Sequence, residues 1–313
     1  MTAHGHAQEA VEVVAHRGAS ADQPEHSLAA YRHAVDLGAD AIECDVRMTR
    51  DGTLVCVHDR RIDRTSTGRG VISTLTLAEL ERFEFGRGHG SPGRRPTPPG
   101  VVLGDGEAPE QDDGRVLTLD RLLEYVTSHP GRVRLAIETK HPTRHSQRVE
   151  AALLASLRRF GLLVGDQPAV HSGRPAVRVM SFSPAALRRV EAAAPQLPTV
   201  QLVRQFTGWP RTLEVRSAVT AVGPPVALLR RNPSFVAQAH AMGAEVHVWT
   251  VNEPEDVEYV LSLAVDAVIT DRPGALLHRL GRGSTAGRAG VRNAERPSSV
   301  LPSDVHPPRR REP

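Results

Sequence analysis

The chain has 313 residues, 40% apolar and 24% charged, enough for a sizeable core and unlike a collagenous, disordered or membrane-embedded protein as a whole. Its 39 Lys+Arg against 36 Asp+Glu give a net charge of +3. Residues 281–313 hold seven Arg against three acids, leaving 32 cations against 33 acids elsewhere, so the basic excess belongs to the tail and not to a nucleic-acid-binding surface. Lys140 is the single lysine beside 38 Arg.

From residue 11 onward, short β-branched runs alternate with helix-length amphipathic segments. Strands are expected over 11–15, 41–46, 54–57, 133–139, 177–181, 199–203, 218–222, 245–251 and 267–270, and helices over 28–37, 119–128, 147–160, 184–194, 233–242 and 254–263. Ser183, Asn232 and Asn252 read as helix caps with proline in or near the first turn, and Gly38, Gly161 and Gly243 as helix stops. This alternation predicts an α/β fold, either a closed (β/α)8 TIM barrel or an open doubly wound sheet. No glycine-rich phosphate loop follows any strand, which favours the barrel.

The pattern breaks over 60–115, where an insertion is expected after the His58 strand; its second half is Gly, Pro and charge without a period. Residues 1–10 read as a flexible segment, 11–280 as one domain, and 281–313, rich in Gly, Ser, Pro and Arg, as a disordered tail. The start, MTAHGHAQEA, has no cationic region followed by an apolar run, and no stretch reaches the ~18 apolar residues of a membrane span. A cytoplasmic protein without stable membrane association is therefore expected. Two cysteines, Cys44 and Cys56, are too few for a disulfide framework and read as buried small hydrophobes.

Two strands carry charge on one face. In Ala41-Ile-Glu-Cys-Asp-Val46 the period of two sets Glu43 and Asp45 opposite Ile42, Cys44 and Val46, and in 133–140 it sets Glu138 and Lys140 opposite Val133, Leu135 and Ile137. Helix-packing residues belong outside a barrel, so the carboxylates would face inward, where they need a cation; a hard oxygen-liganded Mg2+ or Ca2+ is the natural one. A solvated edge strand with carboxylates outward fits the same alternation. Lys140 would offer a compact ammonium beside Glu138.

His16 and His58, among fifteen histidines, each close a strand, and together could take and give a proton near neutral pH. Arg17 offers a donor fork for phosphate. Trp249 shares a face with Glu245 and His247 and reads either as an apolar wall for a substrate or as core packing.

His16-Arg-Gly, Pro24-Glu-His-Ser-Leu28, Glu43-Cys-Asp45, Val57-His-Asp59, Glu138-Thr-Lys140 and Val248-Trp-Thr-Val-Asn252 together resemble the glycerophosphodiester phosphodiesterase family over about 11–280. The resemblance implies a (β/α)8 barrel, catalytic His16 and His58, metal ligands Glu43, Asp45 and Glu138, and phosphate contacts Arg17 and Lys140. It implies metal-dependent hydrolysis of small-molecule glycerophosphodiesters to glycerol 3-phosphate and an alcohol, by way of a cyclic glycerol phosphate. One departure is that the family's usual Pro-Glu-Asn-Thr reads Pro24-Glu-His-Ser, with imidazole in place of an amide. The same site could act on lysophospholipids or phosphoinositide head groups, but 11 aromatics and no amphipathic run in the insertion argue against an acyl-chain surface. The Arg309-Arg-Arg311 run, amid proline and without interleaved aromatics, reads as a solvated end and not as a nucleic-acid binder.

Overall fold

The computed structural model describes residues 11–86, 114–129, 133–145, 147–205 and 219–282. The segments expected as flexible (1–10) and as a disordered tail (283–313), and the Gly/Pro-rich stretch 87–113 of the insertion, lie outside these residues.

Eight parallel strands close on themselves. They are β1 (Glu12–His16), β2 (Ala41–Met48), β4 (Arg134–Thr139), β5 (Val177–Ser181), β6 (Thr199–Leu202), β7 (Val219–Gly223), β8 (Glu245–Val248) and β9 (Ala267–Thr270), with β1 pairing both β2 and β9. The ninth expected strand, β3 (Leu54–Cys56), is not part of the barrel; it pairs antiparallel with the end of β2, Val46 against Cys56 and Met48 against Leu54. Its chain returns within six residues of β2, too short for the crossover that a parallel neighbour requires.

Helices α1 (Leu28–Asp36), α2 (Leu119–Ser128), α3 (Arg148–Arg159), α4 (Pro184–Ala193), α5 (Val226–Arg231), α6 (Phe235–Ala241), α7 (Pro254–Ser262) and α8 (Pro273–Arg279) lie between or after the barrel strands. Ser183 caps α4 as expected, its hydroxyl accepting the Ala186 N–H with Pro184 in the first turn. Neither Asn232 nor Asn252 is an N-cap. Asn232 ends α5, whose short length escaped the sequence pattern, and α6 starts after Ser234. Asn252 turns instead toward Asp271, leaving α7 to begin after Glu253.

Alternation along the strands sorts side chains into an outer shell and three inner layers. Val13, Ala15, Ile42, Cys44, Val46 and Ile137 pack outward on the helices. Inside, Val14, Ala41, Ala136, Met180, Val200 and Ala221 fill the middle apolar layer. Below it, at the amino ends of the strands, buried Glu12 holds Arg178 at 3.0 Å and Arg134 at 3.1 Å. Above it stand the charged residues of β1, β2 and β4. Cys44 and Cys56 are free and buried, as expected.

The described first half of the insertion is folded on β3. Ile62, Ile72 and Leu80 form a small core with Val55 and Val57, and the turn of helix Leu77–Leu80 is closed by a reciprocal Thr76–Glu79 capping box. No helix among the described residues is long and apolar enough to cross a membrane.

Candidate active site

Register brings the site together. His16 on β1 lies opposite Glu43 on β2, and Asp45 lies opposite Glu138 on β4. The carboxylates of Glu43, Asp45 and Glu138 therefore converge at the carboxyl end of the barrel, each offering an oxygen within 4.8 Å of the others, all buried. Lys140 Nζ sits between two of them, 2.9 Å from Asp45 Oδ1 and 2.9 Å from Glu138 Oε2.

The turn after β1 adds a second cation. Arg17 has φ 57° and Gly18 φ 84°, and a Cβ on Gly18 would fall 2.6 Å from the backbone of Ala30, so only glycine lets α1 approach this closely. The turn aims the Arg17 N–H at Glu43 Oε2, 3.0 Å away. The Arg17 guanidinium spans Asp45 (Nε to Oδ2, 3.3 Å) and Glu25 (Nη1 to Oε1, 3.1 Å).

The imidazole noted as a departure in the sequence, His26, lies in this cluster. It is buried in the left-handed region at φ 59°, with Nε2 2.9 Å from Asp45 Oδ2 and Nδ1 2.8 Å from the Tyr31 hydroxyl. Burial pushes its pKa down, so the neutral ring donates from Nε2 to Asp45 and accepts from Tyr31.

Burial and the neighbouring Asp45 raise Glu43 well above the carboxylate range, and the same two causes bring Glu138 up to about 7. Asp45 lies well below its ordinary value: burial opposes this, but the His26 hydrogen bond and the charges of Lys140 and Arg17 prevail. Such an all-oxygen set, crowded enough to hold protons, fits a hard divalent cation, which would displace those protons.

Two imidazoles flank the cluster. His16 Nδ1 is 2.6 Å from Asp271 Oδ1, and Asp271 also accepts from the Ser20 hydroxyl at 2.9 Å and from the Asn252 amide at 2.5 Å. Asn252 is itself fixed, its Oδ1 accepting the Asp271 N–H at 2.9 Å and the Thr270 hydroxyl at 3.1 Å. His58 Nδ1 is 2.8 Å from Asp59 Oδ1, and Arg64 bridges Asp59 Oδ2 at 2.6 Å to both oxygens of Glu25 at 2.6 and 2.7 Å. The Arg47 guanidinium donates twice to the His58 carbonyl, at 2.9 and 2.8 Å. Each ring is thus oriented through Nδ1, leaving Nε2 for chemistry. Burial lowers His58 to about 4, so it is neutral at pH 7. A cavity of about 350 Å3 lined by His16, Arg17, Ser20, Glu25, Asn252 and Asp271 opens beside them.

Trp249 lies on the β5–β8 arc of the rim, apart from the carboxylates. Its indole N–H donates to the Gly223 carbonyl at 2.7 Å and its ring meets Phe182 edge-on at 5.5 Å between centroids. Its strand-mates Glu245 and His247 belong to the opposite end, where His247 is buried near Glu12. Asp271, Ser20, Asn252 and His26 were not assigned to the site from the sequence. The signal for His26 was its place in the Pro24-Glu-His-Ser departure; Asp271, in Thr270-Asp-Arg-Pro273, carried only the pattern of a helix start.

The model of the glycerophosphoryl diester phosphodiesterase family matches residues 16–275. A Mycobacterium tuberculosis protein named probable glycerophosphodiester phosphodiesterase 1 is 47% identical over 266 residues, covering 84% of this chain and 89% of its own. A Bacillus subtilis glycerophosphodiester phosphodiesterase is 31% identical, covering 86% of each chain. In fold, the chain is similar to an Oleispira antarctica phosphodiesterase solved in complex with sn-glycerol-3-phosphate, with TM-score 0.71, 23% identity and coverage of 86% of this chain and 96% of that one. The match runs from His16 at the end of the first barrel strand into the last helix, and by it this chain belongs to the glycerophosphoryl diester phosphodiesterase family.

Proposed function

We propose that this protein hydrolyses glycerophosphodiesters to glycerol 3-phosphate and an alcohol, with a divalent cation, Mg2+ or Ca2+, held by Glu43, Asp45 and Glu138. The observation that carries the reading is the buried carboxylate triad set between two imidazoles, each oriented by its own carboxylate. When bound, the cation would supply Lewis-acid polarisation of a phosphoryl oxygen and of the attacking hydroxyl.

The chain's own groups do the proton work. His58, neutral at pH 7, accepts at Nε2 the proton of the substrate's glycerol hydroxyl as it attacks phosphorus, and after the alcohol has left the two imidazoles exchange roles so that water opens the cyclic phosphate to glycerol 3-phosphate. His16, its Nδ1–H held by Asp271, gives a proton from Nε2 to the departing alkoxide as the phosphorus–oxygen bond breaks, and Asp271 offsets the ring's charge. Lys140 and Arg17 face the phosphoryl oxygens and offset their negative charge. Phe182 and Trp249 form a wall on the far side of the rim.

A lysophospholipid substrate would need an apolar landing surface at this mouth. The exposed large apolar side chains among the described residues are Val164, Val170 and Met242, and all lie in segments leading into strands, at the opposite end of the barrel. Small glycerophosphodiesters are therefore favoured.

The test is glycerol 3-phosphate release from a panel of glycerophosphodiesters, with and without chelator, by the wild type and Glu43→Ala. Release abolished by chelator, restored by Mg2+ or Ca2+ and lost in the variant is expected; chelator-insensitive hydrolysis overturns the reading.

A further inference from the structure

A second cleft, of about 330 Å3, has Arg47, Arg60 and Arg144 together with Ser73 and Thr143 in its lining, and Arg47 ties it to the site through the charges of Asp45 and Glu138 and the His58 carbonyl. No carboxylate lines it among the described residues. Arg47 is engaged by a neutral carbonyl, that of His58, and Arg60 and Arg144 are exposed with no carboxylate partner for their guanidinium groups among the described residues. Three arginines in one lining, without an acid among the described residues of that lining, attract an anion, and planar forks match phosphate oxygens in particular.

The walls of this cleft continue the strands that carry the site. Arg47 is two residues beyond Asp45 on β2 and on the same face of that strand, Arg60 is two beyond His58, and Arg144 follows Lys140 by four. At ~3.3 Å of rise per strand residue, the Arg47 backbone lies ~6.6 Å past that of Asp45.

We propose that this arginine cleft is a subsite for a second phosphate carried by the leaving alcohol, so that the preferred diesters are those whose alcohol is itself phosphorylated. This rests on the hydrolytic reading above for its placement of the scissile phosphate. The cleft takes the distal phosphate on Arg60 and Arg144, while Arg47 links it to the loop holding His58.

Binding and turnover separate this proposal from that reading. The double variant R60Q/R144Q removes two exposed guanidinium groups and leaves the packing intact. Titration calorimetry compares 1,3-propanediol bisphosphate with glycerol 3-phosphate on Mg2+-loaded wild type and variant. The wild type is expected to bind the bisphosphate about tenfold tighter, with the advantage falling to about twofold in the variant and in 0.5 M salt. In turnover, the kcat/KM ratio for bis(glycerophospho)glycerol over glycerophosphoglycerol is expected to fall by a similar factor in the variant. No bisphosphate advantage in the wild type, or an advantage or ratio unchanged in the variant, overturns the subsite. Absence of turnover on both diesters overturns the hydrolytic reading and leaves the binding comparison to decide this one.

Discussion

Asp271→Asn tests the orientation of His16 with almost no change in volume. Asp271 Oδ1 receives His16 Nδ1 and the Ser20 hydroxyl, and Oδ2 receives the Asn252 amide. An asparagine there has one acceptor oxygen for what were two. With its oxygen toward His16, its NH2 meets the Asn252 NH2, donor against donor; Asn252 resists flipping because its own oxygen holds the Asp271 N–H and the Thr270 hydroxyl. With its NH2 toward His16, Nδ1 must accept, the proton moves to Nε2, and the charge that offsets a protonated ring is gone. General acid catalysis contributes ~10²–10⁴-fold, or ~2.7–5.4 kcal/mol, and the variant should lose most of it. The assay is kcat on glycerophosphocholine and on a p-nitrophenyl glycerophosphodiester, whose leaving group departs without a proton. A loss of ~10²-fold or more on the first and under ~10-fold on the second is expected. An equal loss on both would refute His16 as the acid, and a loss under ~3-fold on both would refute the orienting role of Asp271.

Further outcomes follow from the same cluster. His26→Ala leaves Asp45 without its imidazole donor and the Tyr31 hydroxyl unpaired in a buried site, so divalent-cation affinity by calorimetry should weaken ~10–100-fold and Tm should fall; His26→Asn, whose amide tolerates the left-handed backbone and restores a donor, should recover most of the affinity. Lys140→Arg places a broad fork where a point charge sits 2.9 Å from two carboxylates, and kcat/KM should drop ~10-fold or more; an intact rate would make the lone lysine incidental. Glu25 is held down to about 2, chiefly against burial, by the Arg64 hydrogen bonds and the Arg17 charge. Because its folded pKa lies below its unfolded one, its contribution is complete above pH ~4.5 and is lost as pH falls toward 2. Denaturant titrations should show a stability advantage of wild type over Glu25→Gln, of order 2–3 kcal/mol at pH 7, that vanishes near pH 2.

The inward direction of Glu43, Asp45 and Glu138 was legible because a period of two is intrinsic to a strand. Their convergence was not, since it depends on the register that sets Asp45 against Glu138 and His16 against Glu43. The resemblance supplied the closure that alternation alone left open. The place of β3 outside the ring was not legible, because a short apolar run reads alike in a barrel and in a hairpin, and only the short return from β2 tells them apart. Asn252 before a proline reads as a cap, yet the cross-strand neighbour β9 presents Asp271, a better partner than the α7 amides, and no local pattern encodes that choice. Arg47 shares the face of Asp45 and was visible in the same alternation, but its target, the His58 carbonyl, belongs to the hairpin and so to tertiary structure.

The hairpin gives the two imidazoles unequal mechanical anchorage. His16 ends a strand laddered on both sides within a closed ring, whereas His58 follows a three-residue strand bonded to the rim extension of β2 and clamped by Arg47. Opening the gap between the rings therefore requires breaking the hairpin and guanidinium bonds, the Cys56 N–H bond to the Leu117 carbonyl and the small core on Val55 and Val57, while the barrel ladder stays whole. Amide hydrogen exchange should accordingly fall into two tiers, with the amides around 54–58 exchanging through local opening and those of β1 and β2 only through global unfolding. The spacing of the two imidazoles is thus set by the rim hairpin and the insertion packed on it, independently of the stability of the barrel on which they are mounted.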